Sequence, residues 1–473
     1  MDALPLRIAD ERVTTDVTIE VRSPFDGSLV GVVHGGETKH LDAAVAAARG
    51  VLDGQGLPTH RRAAILDAAA QRLAERAEEF ARTIAHEAAK PIGAARGEVA
   101  RGIDTLRFSA AAARTLMGEL LPLDASSAGE GKVGFVRRVP AGVVAAITPF
   151  NFPLNLALHK VGPALAAGCP VVLKPAPATP LSALLTAELF LDDCALPPGW
   201  LNVVPCTDDV APRLVDHPDV AVISFTGSAR VGWDIRSRAP RKRVGLELGN
   251  NSPIIIEADG DWRRAAAKIK VAGYAYSGQS CISVQRILVH EDVAEPFVAT
   301  LVEEVARLTV GDPMDDATDV SSLIRASETE RVKSWIDEAV AAGARVAAGG
   351  EVVDGILAPT VLVDAQPDMK VCRNEVFGPV VAVRTYTDFE AALAEANDTD
   401  YGLQAGVFTS DLAKALRASE VLQFGGVLVN EVPTWRADHM PYGGLRNSGN
   451  TREGPLYSIR ELMTEERLIV LQP

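Results

Sequence analysis

The sequence predicts an α/β protein with two doubly wound, Rossmann-like domains and a small β arm. Three observations support this prediction. Short apolar segments alternate with helix-length segments over residues 141–249, as in parallel sheets whose strands are joined by helical crossovers. The same alternation begins again at Pro253 and continues to about residue 430. A final apolar segment, Leu462–Leu471, has no neighbouring segment that would pair with it.

Length and charge narrow the class of protein. The 473 residues are enough for about three domain-sized units of roughly 150 residues each, or for two large ones. Hydrophobic residues make up 47% of the chain, which is too many for a disordered protein. With 47 basic and 62 acidic side chains, the net charge is −15. A nucleic-acid partner is therefore not expected, because nucleic-acid binding needs a basic face.

Cysteine usage and the N-terminus bear on the compartment. The five cysteines contain no CxxC pair, so neither a disulfide framework nor a metal site is expected. The first residues lack the basic start and apolar core of a signal peptide. The sequence contains no stretch of about 18 uninterrupted apolar residues, which is the length that a membrane-spanning helix needs. We expect a cytoplasmic protein with reduced thiols.

The N-terminal third is predicted to change from strands to helices. Residues 1–36 indicate short strands and turns, and Thr38–Gly118 indicates long helices. Lys90 and Pro91 break one of these helices, because proline disfavours helix at the residue before it. Lys132–Val139 alternates as a strand does.

The stretch that follows is predicted to form a parallel sheet covered on both faces, because its strands are continuously apolar. The predicted strands are Val143–Ile147, Val171–Leu173, Leu201–Val204, Val220–Phe225 and Val244–Leu248. The predicted helices lie near 154–167, 181–190, 208–216 and 229–238.

A second α/β run begins with the strand Pro253–Ile256. We expect a helix opened by Asp261, a strand at Arg286–His290 and a helix over about 291–308. The unpaired terminal strand, Leu462–Leu471, is predicted to complete a sheet in another subunit.

Ligands bind at the carboxyl ends of the strands in such sheets, and polar or glycine-rich residues follow several of the predicted strands. No GxGxxG motif is present, and Gly227–Gly232 is not a P-loop because Trp233 replaces the lysine. Gly227 and Ser228 open a helix, which makes either a simple cap or an anion site. Lys174 is either a surface lysine or a ribose ligand. The Gly227-Ser228 turn and Lys174 lie on one sheet edge, and together they indicate a binding site for a dinucleotide.

Three residues have side chains suited to covalent catalysis. Cys281 follows Gly278, although a lone cysteine is usually a small buried hydrophobe. Glu247 lies at the end of an apolar strand, where a charge is costly unless it has a partner or a task. A thiol nucleophile, a carboxylate base and an amide donor at Asn151 would together form a covalent catalyst.

These motifs together resemble the aldehyde dehydrogenase superfamily along nearly the whole chain, nearest to the lactaldehyde, phosphonoacetaldehyde and non-phosphorylating glyceraldehyde-3-phosphate dehydrogenase branch. The motifs are Pro149–Pro153, Lys174-Pro175, Phe225–Ser228, Glu247–Gly249, Gly278–Cys281, Glu375–Pro379, Pro441–Gly444 and Ser448-Gly449.

The resemblance implies a domain plan and an oligomer. Residues 1–120 and 141–249 would form the NAD(P)-binding domain, and residues 250–445 the catalytic domain. Residues 121–140 and 460–473 would form the oligomerisation arm of a homodimer or homotetramer.

The resemblance also implies a mechanism. The Cys281 thiolate would attack a small aldehyde, and Asn151 with the Cys281 backbone N–H would hold the oxyanion. After oxidation by the nicotinamide, Glu247 would activate the water that hydrolyses the thioester to the carboxylic acid. A thiol with a pKa near 8.5 is mostly protonated at neutral pH, so a nearby base helps.

Cofactor contacts follow from the same resemblance. Lys174 would meet the adenosine ribose, Ser228 the pyrophosphate, and Glu375 the nicotinamide ribose with Phe377 beside it. Pro177 stands where NAD-preferring relatives often have a ribose-binding glutamate, so we predict that NADP is accepted and expect preference for it over NAD. Further predicted contacts are Ile147, Thr148, Pro149, Phe150, Ala176, Gly227, Val231, Leu248 and Gly249.

Substrate contacts are predicted at Arg107, Phe152 and Arg436, with structural ion pairs as the alternative for the two arginines. Some members of the branch have an arginine directly before the nucleophile to bind phosphate. Ser280 occupies that position here, which argues against a phosphorylated substrate. His159 is predicted to be a packed side chain.

Two other functions remain open. In a CoA-acylating semialdehyde dehydrogenase, CoA rather than water releases the acyl group, but such enzymes typically lack a glutamate at the position of Glu247. A catalytically inactive member with a structural role would not need Cys281, Glu247 and Asn151 together. Hydrolysis of activated esters would separate an active enzyme from an inactive one.

Overall fold

The computed structural model describes residues 2–54 and 56–472. Two short antiparallel strand pairs and four helices form its N-terminal part. The elements are β1 (Leu6–Ile8), β2 (Glu11–Val13), β3 (Thr18–Arg22), β4 (Leu29–His34), α1 (Thr38–Asp53), α2 (Thr59–Glu75), α3 (Ala77–Ala88) and α4 (Ile92–Thr115). The predicted break at Lys90 and Pro91 is confirmed, because it separates α3 from α4.

A mostly parallel sheet follows. Its elements, with two strands of a separate arm, are β5 (Glu119–Leu121), β6 (Val133–Pro140), β7 (Val143–Ile147), α5 (Asn155–Ala167), β8 (Val171–Lys174), α6 (Leu181–Glu188), β9 (Leu201–Val203), α7 (Pro212–Asp216), β10 (Val220–Thr226), α8 (Ala229–Arg238) and β11 (Arg243–Glu247). The strand order is β11-β10-β7-β8-β9-β1-β2, with an antiparallel edge at β1 and β2.

Both faces of this sheet are covered, as predicted. Val144 and Ala146 pack into one apolar core, whereas Val143, Ala145 and Ile147 pack into another. Successive strand residues point to opposite faces, so a strand that is apolar at every position buries both. The helix predicted at 208–216 is shorter than expected, since only α7 is helical there.

The second sheet is also mostly parallel, in the order β14-β17-β18-β13-β12-β19-β20. The elements of this part are β12 (Pro253–Ile256), α9 (Trp262–Ala272), β13 (Arg286–His290), α10 (Glu291–Val305), α11 (Ala326–Ala341), β14 (Arg345–Ala348), β15 (Val352–Val353), β16 (Ile356–Leu357), β17 (Thr360–Val363), α12 (Lys370–Arg373), β18 (Val380–Tyr386), α13 (Phe389–Asn397), β19 (Gln404–Phe408), α14 (Leu412–Val421) and β20 (Gly426–Val429). The predicted cap is confirmed, because the Asp261 side chain accepts a hydrogen bond from the Arg264 N–H at the start of α9.

The chain ends with α15 (Pro455–Ser458) and β21 (Thr464–Leu471). The terminal strand, for which the sequence showed no local partner, pairs with a distant strand of its own chain. That it also completes a sheet in another subunit stays a prediction, because β21 lies at the edge of the arm sheet. β21 pairs antiparallel with β6 over the whole length of both strands, and β5 completes a three-stranded arm sheet. The partner was missed because it is distant in sequence. The domain boundaries given above stay a prediction.

No helix in the described ranges combines the length and apolarity that a membrane crossing requires. Within the same ranges, His, Cys, Asp and Glu side chains form no group of three or more suited to a metal ion.

Candidate active site

The strand order brings the predicted site residues that precede residue 250 to one edge of the first sheet. β7, β8, β10 and β11 are parallel, so their carboxyl ends lie together. A cavity of about 350 Å³ opens where this edge faces the second sheet's loops. The predicted residues that line it are Pro149, Phe150, Asn151, Phe152, Gly227, Ser228, Glu247, Leu248, Gly249, Cys281, Glu375, Phe377 and Arg436.

Other predicted cofactor residues do not line this cavity. Thr148 is buried, and Val231, in the first turn of α8, packs against an apolar core. Ile147 ends β7, and the remaining three follow or end β8, one strand further along the sheet: Lys174, Ala176 and Pro177.

The structure does not support the prediction of Arg107 at the substrate. Arg107 is exposed on α4, 3.5 Å from Asp104, and does not line the cavity. Arg101 lines it instead. The two arginines lie on different faces of α4, because their spacing is not a multiple of the turn of about 3.6 residues.

Cys281 follows a strained turn. Tyr276, Ser277 and Gly278 have consecutive positive φ angles of 49°, 54° and 71°. Residues other than glycine rarely adopt this backbone conformation. A Cβ at Gly278 would lie 2.1 Å from the Gly378 carbonyl oxygen, so only glycine fits there. The Tyr276 and Ser277 hydroxyls donate hydrogen bonds to backbone carbonyls at 2.8 and 2.6 Å. These bonds fix the turn that presents Cys281.

Asn151 keeps one amide hydrogen available for the cavity. Its Nδ2 donates to the Gln279 carbonyl at 3.0 Å, and an amide group has two such hydrogens. The residues that hold the Asn151 backbone in place were not predicted from the sequence. Lys90 donates to the Asn151 carbonyl and forms a buried ion pair with Glu98. Glu98 also accepts two backbone N–H bonds at the start of α5, so the Asn151 loop is held at both ends.

Glu247 is a buried carboxylate without a hydrogen-bond partner among the described residues, at either oxygen. Burial raises its pKa well above the usual value, and Glu453 raises it further. Arg436 and Lys160 oppose this shift. A buried acid with a raised pKa and an unmet bonding capacity is typical of a general base.

The Cys281 sulfur lies 3.1 Å from the Tyr442 hydroxyl oxygen. Burial raises the pKa of the Cys281 thiol to about 12, and the bond to Tyr442 counteracts that effect. The thiol therefore needs assistance to ionise at neutral pH.

A charged network lies behind the cavity. Arg436 donates to Glu453 at 3.0 Å, and its Nη2 lies 3.1 Å from His159 Nε2. His159 is buried and contacts Asp438 at 2.9 Å, which confirms the prediction of a packed side chain. Arg101 donates two bonds to the same Asp438 carboxylate. Arg436 therefore forms the structural ion pair that was the alternative to a substrate contact. It also lines the cavity.

At the cofactor end, Ser228 caps α8 and accepts from the Val231 N–H at 3.5 Å. The Glu375 carboxylate accepts from the Asn250 N–H at 3.0 Å, and burial raises its pKa to about 7. A Cβ at Gly249 would lie 2.2 Å from a Glu375 oxygen, so this glycine is required for the carboxylate to pack where it does.

Lys174 has a partner that the sequence did not reveal. Its Nζ lies 2.8 Å from the carboxylate of Asp208, whose side chain is 80% exposed. Lys174 itself is buried. Lys174 ends β8, and Asp208 lies in the loop between β9 and α7, so Lys174 is not a free surface lysine.

A thiol, an unpartnered carboxylate and an amide at the carboxyl edge of a doubly wound sheet are typical of an enzyme with a covalent mechanism. The sequence profile of the aldehyde dehydrogenase family matches residues 12–467. The chain belongs to this family, and the resemblance found in its motifs is confirmed.

Relatives cover the chain almost completely. The 3-sulfolactaldehyde dehydrogenase of Priestia aryabhattai is 45% identical over 467 residues, 98% of this chain and 97% of that protein. The lactaldehyde dehydrogenase of Methanococcus aeolicus is 37% identical over 459 residues, 96% and 97%. NADP-dependent glyceraldehyde-3-phosphate dehydrogenase from Bacillus halodurans, solved with NADP, has a TM-score of 0.96 and 35% identity over 100% of this chain and 99% of that one. Aldehyde dehydrogenase 21 from Physcomitrella patens, solved with succinate, has a TM-score of 0.95 and 37% identity with the same coverage.

Proposed function

We propose that this enzyme oxidises a small aldehyde with an anionic group to the carboxylic acid, using NAD or NADP, with water as acyl acceptor. The observation that supports the chemistry most strongly is the meeting of Cys281, Glu247 and Asn151 on one cavity. A CoA-acylating reaction would not need the buried base Glu247. An inactive protein would need none of the three.

The proposed mechanism has two covalent stages. The Cys281 thiolate attacks the aldehyde carbon, a C–S bond forms, and the carbonyl electron pair moves to oxygen. Asn151 Nδ2 and the Cys281 backbone N–H donate to that oxyanion. A bound nicotinamide would supply the acceptor for a hydride, one hydrogen with two electrons, whose loss from the adduct on Cys281 would leave a thioester. Glu247 then removes a proton from the water that attacks this thioester, the C–S bond breaks, and the thiolate leaves.

The residues present fit a dinucleotide cofactor. Ser228 and the N–H groups at the start of α8 would hold the pyrophosphate, since helix N-termini attract anions. The Glu375 carboxylate, which the structure shows buried with one N–H donor, would accept from ribose hydroxyls. Phe377 packs edge-on to Phe150, with ring centroids 6.0 Å apart, and would border the nicotinamide ring. Lys174 would meet the adenosine ribose from β8.

An anionic substrate is supported by the arginines of the cavity. Arg101 uses only two nitrogens on Asp438, so further N–H donors remain. Arg325 lines the cavity and has no ion pair or side-chain hydrogen bond within the described ranges. With Arg436, they offer positive charge to a carboxylate or sulfonate. The name of the Priestia relative makes 3-sulfolactaldehyde the first candidate.

The test is reduced-nicotinamide formation over an aldehyde panel, each member with NAD and with NADP, without CoA. The panel contains 3-sulfolactaldehyde, lactaldehyde, glycolaldehyde, succinic semialdehyde, phosphonoacetaldehyde, glyceraldehyde-3-phosphate and benzaldehyde. We expect the highest kcat/KM with an anionic, unphosphorylated member. Activity that appears only after CoA is added would contradict the role of Glu247. Preference for benzaldehyde would contradict the role of the arginines.

We also propose that the arm sheet joins subunits in a homodimer or homotetramer. Large apolar side chains remain exposed on it, namely Leu120, Val133, Leu468, Val470 and Leu471. An exposed apolar surface of this kind is typical of an interaction site. Light scattering on the purified enzyme measures the subunit number directly.

Replacing Asn151 with alanine is expected to lower kcat on the order of a hundredfold, because one oxyanion donor is lost. Steady-state kinetics with the best aldehyde measures this effect. Cofactor affinity, measured by fluorescence quenching, should stay within about twofold, since the change removes no proposed cofactor contact. An unchanged kcat would remove Asn151 from the oxyanion site.

Replacing Asp208 with asparagine is expected to raise the ratio of kcat/KM for NADP to that for NAD by about fivefold, the factor that corresponds to about 1 kcal/mol. The Asp208 carboxylate neutralises Lys174 and would repel a 2′-phosphate, and one like-charge contact changes affinity by about 1 kcal/mol near a surface. The neighbouring change Asp209→Asn is the control. An equal ratio in wild type and Asp208→Asn would mean that the pair does not govern cofactor choice.

A further inference from the structure

The nucleophilic sulfur has one hydrogen-bonding side chain in contact with it among the described residues. The Tyr442 hydroxyl lies 3.1 Å from Cys281 Sγ. Tyr442 is buried, with 3% of its surface exposed. Its hydroxyl makes no other hydrogen bond within the described ranges, so its one strong donor is directed to the sulfur.

Tyr442 is held rigidly in this position. The guanidinium carbon of Arg436 lies 3.8 Å from the centroid of the Tyr442 ring. Tyr442 and Glu453 exchange two backbone hydrogen bonds, at 3.1 and 2.6 Å, and the Glu453 side chain in turn binds Arg436. A cation over the ring face draws electron density from the phenol, which makes its hydroxyl a stronger donor.

The other groups around the sulfur do not replace this bond. Glu375 and Glu247 disfavour a thiolate, and Arg436 favours it. Burial disfavours it most and raises the pKa of the thiol to about 12. Burial also raises the pKa of the Tyr442 phenol well above its usual value, so the phenol keeps its proton. Because an ionised sulfur has no proton to donate, the bond must then run from phenol to sulfur.

We propose that the Tyr442 hydroxyl donates a hydrogen bond to the Cys281 thiolate and thereby increases the fraction of nucleophilic sulfur in the resting enzyme. The proposal rests on the proposed function, in which Cys281 is the nucleophile. It makes Tyr442 a catalytic residue, because its hydroxyl touches the reacting sulfur.

The test is the pH dependence of Cys281 alkylation by iodoacetamide, followed by peptide mass, in wild type and Tyr442→Phe. Phenylalanine keeps the ring and its contact with Arg436 and removes only the hydroxyl. Hydrogen bonds to charged groups are the strong ones. We expect the alkylation midpoint to rise by about one pH unit, and the rate near neutral pH to fall about tenfold. Incorporating 3-fluorotyrosine at position 442, a stronger donor, should shift the midpoint down.

Tyr386→Phe is the matched control, since it removes a buried tyrosine hydroxyl that bonds to Glu257 instead. Its alkylation profile should equal that of wild type. An unchanged midpoint in Tyr442→Phe, or faster alkylation, would overturn the proposal, because the hydroxyl would then be neutral or protective. Alkylation needs no aldehyde turnover. A shifted midpoint in an enzyme that oxidises no aldehyde would therefore contradict the proposed function while leaving the bond to Cys281 established.

Discussion

Replacing Cys281 with alanine is expected to abolish aldehyde oxidation, with a fall in kcat on the order of 10⁴-fold or more. Cys281 is the only cysteine among the described residues that line the cavity, and a thiolate is a far stronger nucleophile than an un-ionised hydroxyl such as that of Ser280. The measurement is reduced-nicotinamide formation at saturating aldehyde. Binding of the nicotinamide cofactor should remain nearly intact, since the thiol is not a proposed cofactor contact.

The matched control for this change is Cys372→Ala. Cys372 is also buried, and burial raises the pKa of its thiol to about 11, but it packs in an apolar core of the second sheet, away from the cavity. This variant should keep most of its activity. Substantial oxidation by Cys281→Ala would exclude the covalent mechanism.

Replacing Glu247 with glutamine is expected to slow deacylation by about 10²- to 10⁴-fold, the range for loss of a general base. The first turnover should still form reduced nicotinamide, so a burst equal to the enzyme concentration should precede a slow steady state. Intact-protein mass spectrometry should show acyl-enzyme on Cys281. In wild type, the carboxylate must be deprotonated to act, and its pKa is raised by burial. Deacylation should therefore rise with pH, and this rise should be absent in the variant.

Glu87→Gln is a matched control for this second variant. Glu87 is another buried carboxylate, and burial raises its pKa to about 7. It accepts hydrogen bonds at the start of α6 and does not line the cavity. The Glu87→Gln enzyme should show no burst of reduced nicotinamide, like wild type. We expect this even if the substitution lowers its melting temperature. Turnover of Glu247→Gln at the wild-type rate would remove Glu247 from the mechanism.

Elements that depend on local patterns could be predicted from the sequence. The strands Pro253–Ile256 and Arg286–His290 begin and end where predicted, because apolar runs bounded by polar residues define them locally. The cap at Asp261 is equally local. The helix predicted from 208 begins only at Pro212, where proline fits the first helical turn. The pairing of β21 with β6 could not be predicted from local patterns, because it joins distant segments; only the family resemblance placed both segments in one arm.

The candidate site divides in the same way. Glu247 is a charged residue at the end of an apolar strand, and Cys281 is a thiol close to Gly278, so both signals are visible in the sequence. Lys90 and Glu98 support Asn151 through contacts between distant segments of the chain. The local sequence shows only two charged residues beside a helix break, which does not reveal these contacts. The Asp208 partner of Lys174 was hidden for the same reason.

The pairing of β21 with β6 has a consequence for how this enzyme is made. During synthesis, β6 (Val133–Pro140) leaves the ribosome long before β21 (Thr464–Leu471), because both large sheets lie between them in the chain. Domains generally fold in the order of their synthesis. One edge of β6 must therefore wait without its neighbour while both large sheets assemble, and an unpaired edge invites pairing with other chains. The arm closes only after Thr464–Leu471 has been made, so a chain broken off before Thr464 would lack the strand that covers this edge.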